Sequence, residues 1–495
     1  MRNNRSVTRF CKPTTIVVNA PIHLVLILGM LLFLSSVAAA MNLSQPLELS
    51  RIQAPARLDG FGQDPVWKTV APLPLTMYAP QNGAKPTERS EIRVAYDQQN
   101  LYVAARFYDS NPAGIHSNTL YRDSWNGDDT LEVVIDGFYD HQTAIHLWVN
   151  PAGSRGDETI SNDAVGDNVY NMSWNTFWDA SAHRETDGWV AEMKIPFSSF
   201  RFRSENGEVR MGLTAFRYIA RKNEWDIFPP RPQKWDNGLM KPSLTQPVVL
   251  KNVEAKRPIY FVPYALGGIG QEAQPNPAGT AFHTIKNMTH DIGGDLKYTI
   301  SSDLTLDLTA NTDFAQVEAD DQQINLSPFA IFLPEKRLFF QERSSLFDFA
   351  TGRDGRLFYS RRIGLTDDGE PLRIYGGGRL VGKLGDWDLG LMELQTAGAA
   401  ETGTLNTGVF RVRHRVLNDS SYTGAMVTTL LDGNGNYNVN YGIDNSLKFF
   451  GSDYLTLNLA QTLDDGHRAS LSSGMLRAQW ERMTLAVQRI LETES

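Results

Sequence analysis

Carboxylate pairs are the first residues in this chain that could do chemistry. Acid–base cleavage of a glycosidic bond needs two carboxyl groups that flank the bond. The adjacent pairs in this sequence lie next to each other in the chain, and neighbouring side chains of a strand point apart. The adjacent Asp–Asp pairs are Asp128/Asp129, Asp320/Asp321, Asp367/Asp368 and Asp464/Asp465. The sequence also has no HExxH, GxSxG or phosphate-loop motif. A non-catalytic role is therefore favoured.

A second chemistry open to acidic residues is calcium binding, since hard cations take clustered carboxylate oxygens. Asp123, Asp128 and Asp129 are the predicted ligands, and Asp136 and Asp157 are further candidates. Their spacing fits no known calcium loop, and acidic residues at strand entries commonly form turns. A structural calcium ion is the one cofactor that the sequence suggests, and turn formation is the alternative.

Tryptophan divides the chain, because eight of the ten lie between residues 51 and 250. In that half, apolar residues alternate on both sides of the polar turn Asp97 to Asn100, a pattern typical of an antiparallel hairpin. Further strands are predicted at 130–136, 144–149, 189–195 and 211–218. Short strands between Gly, Asn, Asp and Pro favour a β-sandwich.

The second half alternates over longer segments. From Tyr437 to Phe449, aromatic and aliphatic residues occupy one face and polar residues the other. About ten such strands follow residue 291, which predicts an antiparallel outer-membrane β-barrel with an apolar exterior and a wet lumen. Residues 258–288, rich in Gly and Pro, are expected to be a connector that could contain one strand.

Residues 315–370 interrupt this pattern with a dense block of charge and Phe. The block contains Glu335, Lys336, Arg337, Glu342 and Arg343, with Phe332, Phe339 and Phe340 beside it. It predicts a plug or gate held by ion pairs, and a structural seal inside the barrel is the favoured role.

The N-terminus has the order of a cleaved export signal: four cations, the apolar run 24–34, and small residues up to Ala40. The only cysteine, Cys11, lies inside it. Loss of residues 1–40 would move the formal net charge from −9 to −13, which disfavours nucleic acid as a partner. We expect export to the cell outer membrane and contact with its lipid.

Three segments resemble the family 9 carbohydrate-binding module: 58–68 (LDGFGQDPVWK), 125–136 (WNGDDTLEVVID) and 187–200 (DGWVAEMKIPFSSF). Residues 311–364 resemble an uncharacterised barrel-like domain that follows such modules in Gram-negative bacteria. The resemblance implies a sugar-binding β-sandwich joined to an outer-membrane barrel. Because the family's barrel usually continues further, a truncated member is one alternative.

A sugar offers an apolar face to aromatic rings and hydroxyl groups to polar side chains. By the resemblance, Trp125 and Trp225 would clamp a terminal sugar, with Asn223, Glu132 and Arg155 as polar partners. Each has a plain structural alternative: tryptophan in a sandwich is often core, Glu132 could face water, and Arg155 could be a loop cation. His146 and Trp148 share a strand face and could serve instead.

The sequence thus predicts an all-β protein with four regions: a signal peptide (1–40), a carbohydrate-binding sandwich (47–250), a connector (251–290) and a barrel-like domain (291–495) with 315–370 as plug or gate. The leading hypothesis is binding of an oligo- or polysaccharide in carbohydrate uptake or catabolism. One alternative is a hydrolase of O-glycosyl bonds. The other is a structural or protein-interaction protein of the envelope.

Overall fold

The computed structural model describes residues 45–166, 169–205, 207–253, 258–276, 280–301, 303–312, 335–351, 355–366, 372–398, 403–449, 453–464, 469–480 and 483–494. The predicted signal peptide lies outside this part of the chain, as do residues 315–334 of the predicted plug. In the described segments, no helix has the length and apolar character to cross a membrane.

The first half folds into two sheets, as a β-sandwich requires. The ten-stranded sheet has the order β1-β15-β13-β6-β7-β8-β9, with β12 and β14 also on β13 and β3 on β14. Its strands are β1 (Leu47–Glu48), β3 (Thr76–Ala79), β6 (Thr130–Asp136), β7 (Ala144–Val149), β8 (Arg155–Ile160), β9 (Tyr170–Asn171), β12 (Ser204–Glu205), β13 (Glu208–Ile219), β14 (Glu224–Phe228) and β15 (Gln246–Lys251).

The five-stranded sheet has the order β10-β11-β5-β4-β2. Its strands are β2 (Ser50–Arg51), β4 (Ser90–Tyr96), β5 (Asn100–Tyr108), β10 (Asp179–Glu185) and β11 (Gly188–Pro196). The predicted hairpin is confirmed, since Tyr96 pairs with Leu101 and Asp97 N donates to Asn100 O. The first two short strands join different sheets. β1 pairs parallel with β15 of the ten-stranded sheet, and β2 pairs parallel with β4 of the five-stranded sheet.

Alternation of side chains builds the core between these sheets. Leu131, Val133 and Ile135 of β6 point inward and are buried, as the sequence predicts. They pack with Val103 of β5 and Trp189 of β11. The even-numbered residues of β6 therefore lie on the outer face of the ten-stranded sheet, and this places the candidate site there.

The second half forms one antiparallel sheet of eleven strands, in which each strand pairs with the next. The strands are β16 (Ile259–Pro275), β17 (Phe282–Thr299), β18 (Leu304–Thr312), β19 (Ile374–Leu384), β20 (Trp387–Ala397), β21 (Thr404–Arg415), β22 (Tyr422–Asp432), β23 (Tyr437–Lys448), β24 (Tyr454–Asp464), β25 (Ala469–Trp480) and β26 (Met483–Glu494). The all-β fold is thus confirmed.

Closure of this sheet into a barrel is not found in the described strands, where β16 and β26 are each paired on one side only. A run of eleven antiparallel strands leaves the first and last strands running in the same direction. Closing β16 onto β26 would therefore require a parallel pairing, whereas bacterial barrels usually have an even number of antiparallel strands.

The connector prediction for 251–290 is wrong for most of its length. Residues 259–275 form β16, and β17 begins at Phe282, with 17 consecutive paired positions between the two strands. The glycines that suggested a connector, such as Gly267 and Gly270, lie in open space within a strand. Pro263 is tolerated because β16 is an edge strand.

The charged segment after β18 lies against one face of the eleven-stranded sheet. Its helix α1 (Leu338–Gln341) is one turn long, and short 3₁₀ turns follow at Ser344–Phe347 and Ser360–Arg362. Phe339, Phe347 and Phe349 are buried against sheet residues such as Val381 and Met426. Residues 335–351 and 355–366 are called the covering segment below.

Two buried charges join the covering segment and strands. Arg411 makes a bidentate pair with Asp444, at 2.6 and 2.5 Å, and its Nε donates to Leu346 O. Arg379 pairs with Asp307 and donates to Phe339 O. Such pairs stabilise a buried position best when the remaining donors also find partners. Backbone carbonyls accept from Arg411 Nε and Arg379 Nη1, whereas Arg379 Nε has no partner among the described residues.

One buried carboxylate, Asp163, joins the sandwich to the eleven-stranded sheet. It accepts from the Lys448 ammonium at 3.1 Å and the Tyr454 hydroxyl at 2.7 Å, both from the second half of the chain. It also accepts from Ser243 N and lies 3.3 Å from the Lys241 ammonium. Burial alone would raise the pKa of Asp163, but Lys448 and Lys241 outweigh burial and hold the pKa below its usual value.

We predict that D163A lowers the stability of the full chain by about 3–5 kcal/mol, because it leaves two buried ammonium groups without their acceptor. The measurement is thermal unfolding followed by circular dichroism. D187A is the matched control, since Asp187 is about half exposed in its pair with Arg106. An unchanged unfolding midpoint for D163A would contradict this role.

Candidate functional site

Aromatic rings form a continuous cluster on the outer face of the ten-stranded sheet. Trp225 of β14 pairs with Tyr218 of β13, and their rings stack at 4.1 Å between centroids and 28° between planes. The Trp125 ring lies 5.8 Å from that of Tyr218. Trp125 is 51% exposed, whereas Tyr218 is buried. We call Trp125, Tyr218 and Trp225 the aromatic platform.

The structure thus brings Trp125 and Trp225 onto one face, where both contact Tyr218. The sequence analysis did not identify this tyrosine. Tyr218 could have been found from alternation, since Phe216 and Tyr218 share a face of β13. Its contact with Trp225 depends on the register of two strands, which the sequence alone does not give.

Asn223 lies at the edge of the platform. Its side-chain oxygen accepts from the Tyr218 hydroxyl at 3.2 Å. The residue is exposed and has a left-handed backbone, φ 49°, in the turn before β14. It therefore reaches the platform from the turn that precedes β14, the strand of Trp225.

Beside the platform, a buried histidine bridges two glutamates. His146 Nε2 lies 2.8 Å from Glu132 Oε2, and its Nδ1 lies 2.9 Å from Glu158 Oε1. Glu132 also accepts from the Thr130 hydroxyl at 2.5 Å. Since both ring nitrogens face carboxylates, the imidazolium form satisfies the arrangement best. We call His146, Glu132 and Glu158 the histidine bridge.

The charge state of the bridge follows from competing effects. Burial on its own lowers the pKa of His146, but hydrogen bonds to Glu132 and Glu158 outweigh burial and raise the pKa to about 9. At neutral pH the site therefore holds a cation between two carboxylates. Neither glutamate is arranged as one of two groups flanking a scissile bond, because both are bound to the same imidazole.

Ring contacts join the bridge to the platform. Phe216 lies 6.1 Å from His146 and 5.8 Å from Trp225. Trp148 stacks on His146 at 5.0 Å, in the space above Gly156. A Cβ atom at Gly156 would meet the Trp148 ring at 2.0 Å, so glycine is required there.

Arg155 is not brought to this face. It pairs with Val149, which points into the core, so its side chain leaves the sheet on the opposite side from Trp148. Its guanidinium lies 5.7 Å from the ring centre of Trp178 and donates to Trp178 O. The prediction placed it in a loop, but residue 155 begins strand β8, and strand parity decides its direction.

The three predicted calcium ligands each accept hydrogen bonds from residues that are at least ten positions away in the chain. Asp128 accepts from Asn118 N and from the Asn150 side chain. Asp129 accepts from His116 N, and Asp123 accepts from Asp157 N. Burial, followed by the nearby Asp157, raises the pKa of Asp123 to about 6.

Within the described residues, no group of three or more His, Cys, Asp or Glu side chains is placed to hold a metal ion. The calcium ion stays a prediction, and the geometry of Asp123, Asp128 and Asp129 gives it no support.

Comparison with known families and structures assigns the two halves. The family described as carbohydrate family 9 binding domain-like matches residues 58–226, which include both the platform and the bridge. A domain of unknown function (DUF5916) matches residues 259–374. The chain carries a family 9-like domain followed by a DUF5916 domain. No curated protein matches the chain.

Two solved structures are similar at low identity. One is a Bacteroides uniformis protein provisionally described as carbohydrate-binding: 10% identity, TM-score 0.34, 42% of this chain and 99% of that chain. The other is Wzi of Escherichia coli, described as an outer-membrane protein of group 1 capsule assembly and a carbohydrate-binding β-barrel: 9% identity, TM-score 0.23, 74% of this chain and 82% of that chain. Likenesses this remote assign no site.

The histidine bridge in the family 9-like domain gives a pH-dependence with a definite sign. Because the folded pKa of His146 is about 9, above its ordinary value of 6.5, its stabilisation is fully present below about pH 6.5 and is lost as pH rises through 9. We predict that the free energy of unfolding falls over this window, and that H146A removes the fall and costs about 3–5 kcal/mol near neutral pH.

The measurement is denaturant unfolding at several pH values. H183A is the matched control, since His183 is exposed and should leave the pH slope unchanged. Equal slopes for the wild-type protein and H146A would count against the bridge.

Proposed function

We propose that the family 9-like domain binds the end of an oligo- or polysaccharide on the aromatic platform, and that the eleven-stranded sheet holds it at the outer membrane for carbohydrate uptake or breakdown. The observation that carries the proposal is that Trp125 and Trp225 both contact Tyr218 on one face of the sheet.

The exposure of Trp125 supports binding over a purely structural role. A tryptophan that is 51% exposed leaves much of its ring in water, although it is held by Tyr218 on one side. Rings held in this way offer flat apolar surface to the C–H face of a sugar. Asn223 stands exposed at the edge, where an amide can bond to hydroxyl groups.

The bridge supports the platform and does not read the ligand directly. Glu132 is 4% exposed, and both of its oxygens have partners in Thr130 and His146. Its role in this proposal is to orient His146 beneath Phe216, which contacts Trp225. Arg155, on the other side of the sheet, takes no part in this site.

Attachment to the outer membrane is supported by the two faces of the eleven-stranded sheet. Leu391, Phe410 and Tyr441 lie in one row across β20, β21 and β23 and are 45%, 44% and 39% exposed. The opposite face carries buried charges such as Arg411 and Asp444. An apolar outer face and a polar inner face are typical of sheets that lie in lipid.

We predict that the W125A/W225A double variant binds saccharide about 10- to 100-fold more weakly, because each stacking ring contributes about 0.5–1.5 kcal/mol beyond its buried area. The measurement is calorimetric titration of the full chain with glucan, xylan and mannan oligosaccharides. F61A is the control, since Phe61 is an exposed aromatic that stacks on His183 of the other sheet. Affinity unchanged in the double variant, or no binding by the folded wild-type protein, would refute the platform.

Membrane attachment gives a separate prediction. F410K places a charge on the apolar face and should cost about 2–4 kcal/mol in lipid, so less protein is recovered in the outer-membrane fraction. The matched control is N440K, which adds the same charge to the polar face, where Asn440 bonds to Thr428. Recovery of wild-type protein as a freely dissolved monomer would exclude attachment.

A further inference from the structure

A cavity of about 850 Å³ lies on the other side of the ten-stranded sheet from the platform. Its walls come from the loop 174–179 of the family 9-like domain, from β16–β18, and from α1 with the residues just after it. The volume falls within the roughly 300–1,000 Å³ of small-molecule sites. Nothing in the proposed function uses this cavity.

One wall of the cavity is aromatic. Phe177 is 73% exposed, yet its ring stacks at 6.1 Å and 24° on Tyr260 of β16. Trp174 and Trp178 line the same side. Phe177 and Tyr260 therefore offer the same chemistry as the platform, because two nearly parallel rings present a flat apolar surface to a ligand.

The other walls are mainly apolar, and the charged side chains among them are paired. Each lining cation that the structure pairs has a carboxylate partner, which disfavours a strongly charged ligand. These pairs are Arg122–Asp157, Arg155–Asp179, Lys297–Glu342 and Arg343–Asp388.

Two donors in the lining residues lack an acceptor. Arg343 Nη1 and Trp178 Nε1 are buried with no hydrogen-bond partner among the described residues. Buried donors are usually satisfied, so a ligand with acceptor oxygens would complete them.

We propose that this cavity is a second saccharide site, which takes a short neutral oligosaccharide between the family 9-like domain and the eleven-stranded sheet. The choice of ligand class rests on the proposed function. Phe177 and Tyr260 stack on the sugar rings at the mouth, and Arg155 and Arg343 donate to hydroxyl oxygens inside. This gives Arg155 a place in sugar binding on the opposite face from the one predicted.

The test is calorimetric titration of the full chain with neutral gluco-, xylo- and manno-oligosaccharides. We expect two binding events in the wild-type protein and one in F177A/Y260A. W125A/W225A should keep the cavity event, and the quadruple variant should lose both, with at least a tenfold fall in affinity at each site. F61A should behave as the wild-type protein.

The two proposals fail separately. If F177A/Y260A retains the stoichiometry and affinities of the wild-type protein, the cavity proposal is overturned while the platform stands. If W125A/W225A is the unchanged variant and F177A/Y260A loses binding, the platform is overturned and the cavity stands. Circular dichroism on each variant establishes that a lost event is not lost folding.

Discussion

The aromatic outer face of the ten-stranded sheet is built around one buried cation, His146, which is held between Glu132 and Glu158. Two carboxylates this close and this buried would repel each other strongly without it. When the imidazolium is present, the two carboxylates hold both of its ring nitrogens and so fix the plane of the ring. Trp148 and Phe216 both stack on the ring in this orientation. The platform is thus built on a base in which both carboxylates bond to one imidazolium.

The same principle recurs where the two halves of the chain meet. Asp163 is paired with both Lys448 and Lys241, and Glu342 of the covering segment is paired with both Lys297 of β17 and Arg201 of the sandwich. Because these pairs are buried or partly buried, they fix the positions of the surfaces that line the 850 Å³ cavity. The cavity exists only where sandwich, covering segment and sheet come together.

The eleven-stranded sheet sets a further constraint. In lipid, each strand edge must be paired, since no water is present to satisfy its backbone groups. The described residues leave β16 and β26 each paired on one side. If the Leu391 and Phe410 face lies in lipid, β16 and β26 must therefore also be paired or covered there.

Strand alternation was enough to predict the fold and the direction of most side chains. Leu131 and Glu132 lie on opposite faces as predicted, because strand parity is a local property. The side of the sheet on which Arg155 lies depends on the start of β8, which the sequence does not mark, and glycines interrupt the alternation that would predict β16. Composition and spacing do not encode three further contacts. Those of Tyr218 with Trp225 and of Glu158 with His146 depend on strand register, and that of Asp163 with Lys448 joins residues far apart in the chain.

The most direct test of the central claim is a crystal structure of the protein with the oligosaccharide that it binds best. The account predicts a terminal sugar ring stacked on Trp125 and Trp225, with Asn223 within hydrogen-bond distance of a hydroxyl group. A saccharide bound elsewhere on the sandwich, with the platform bare, would contradict it.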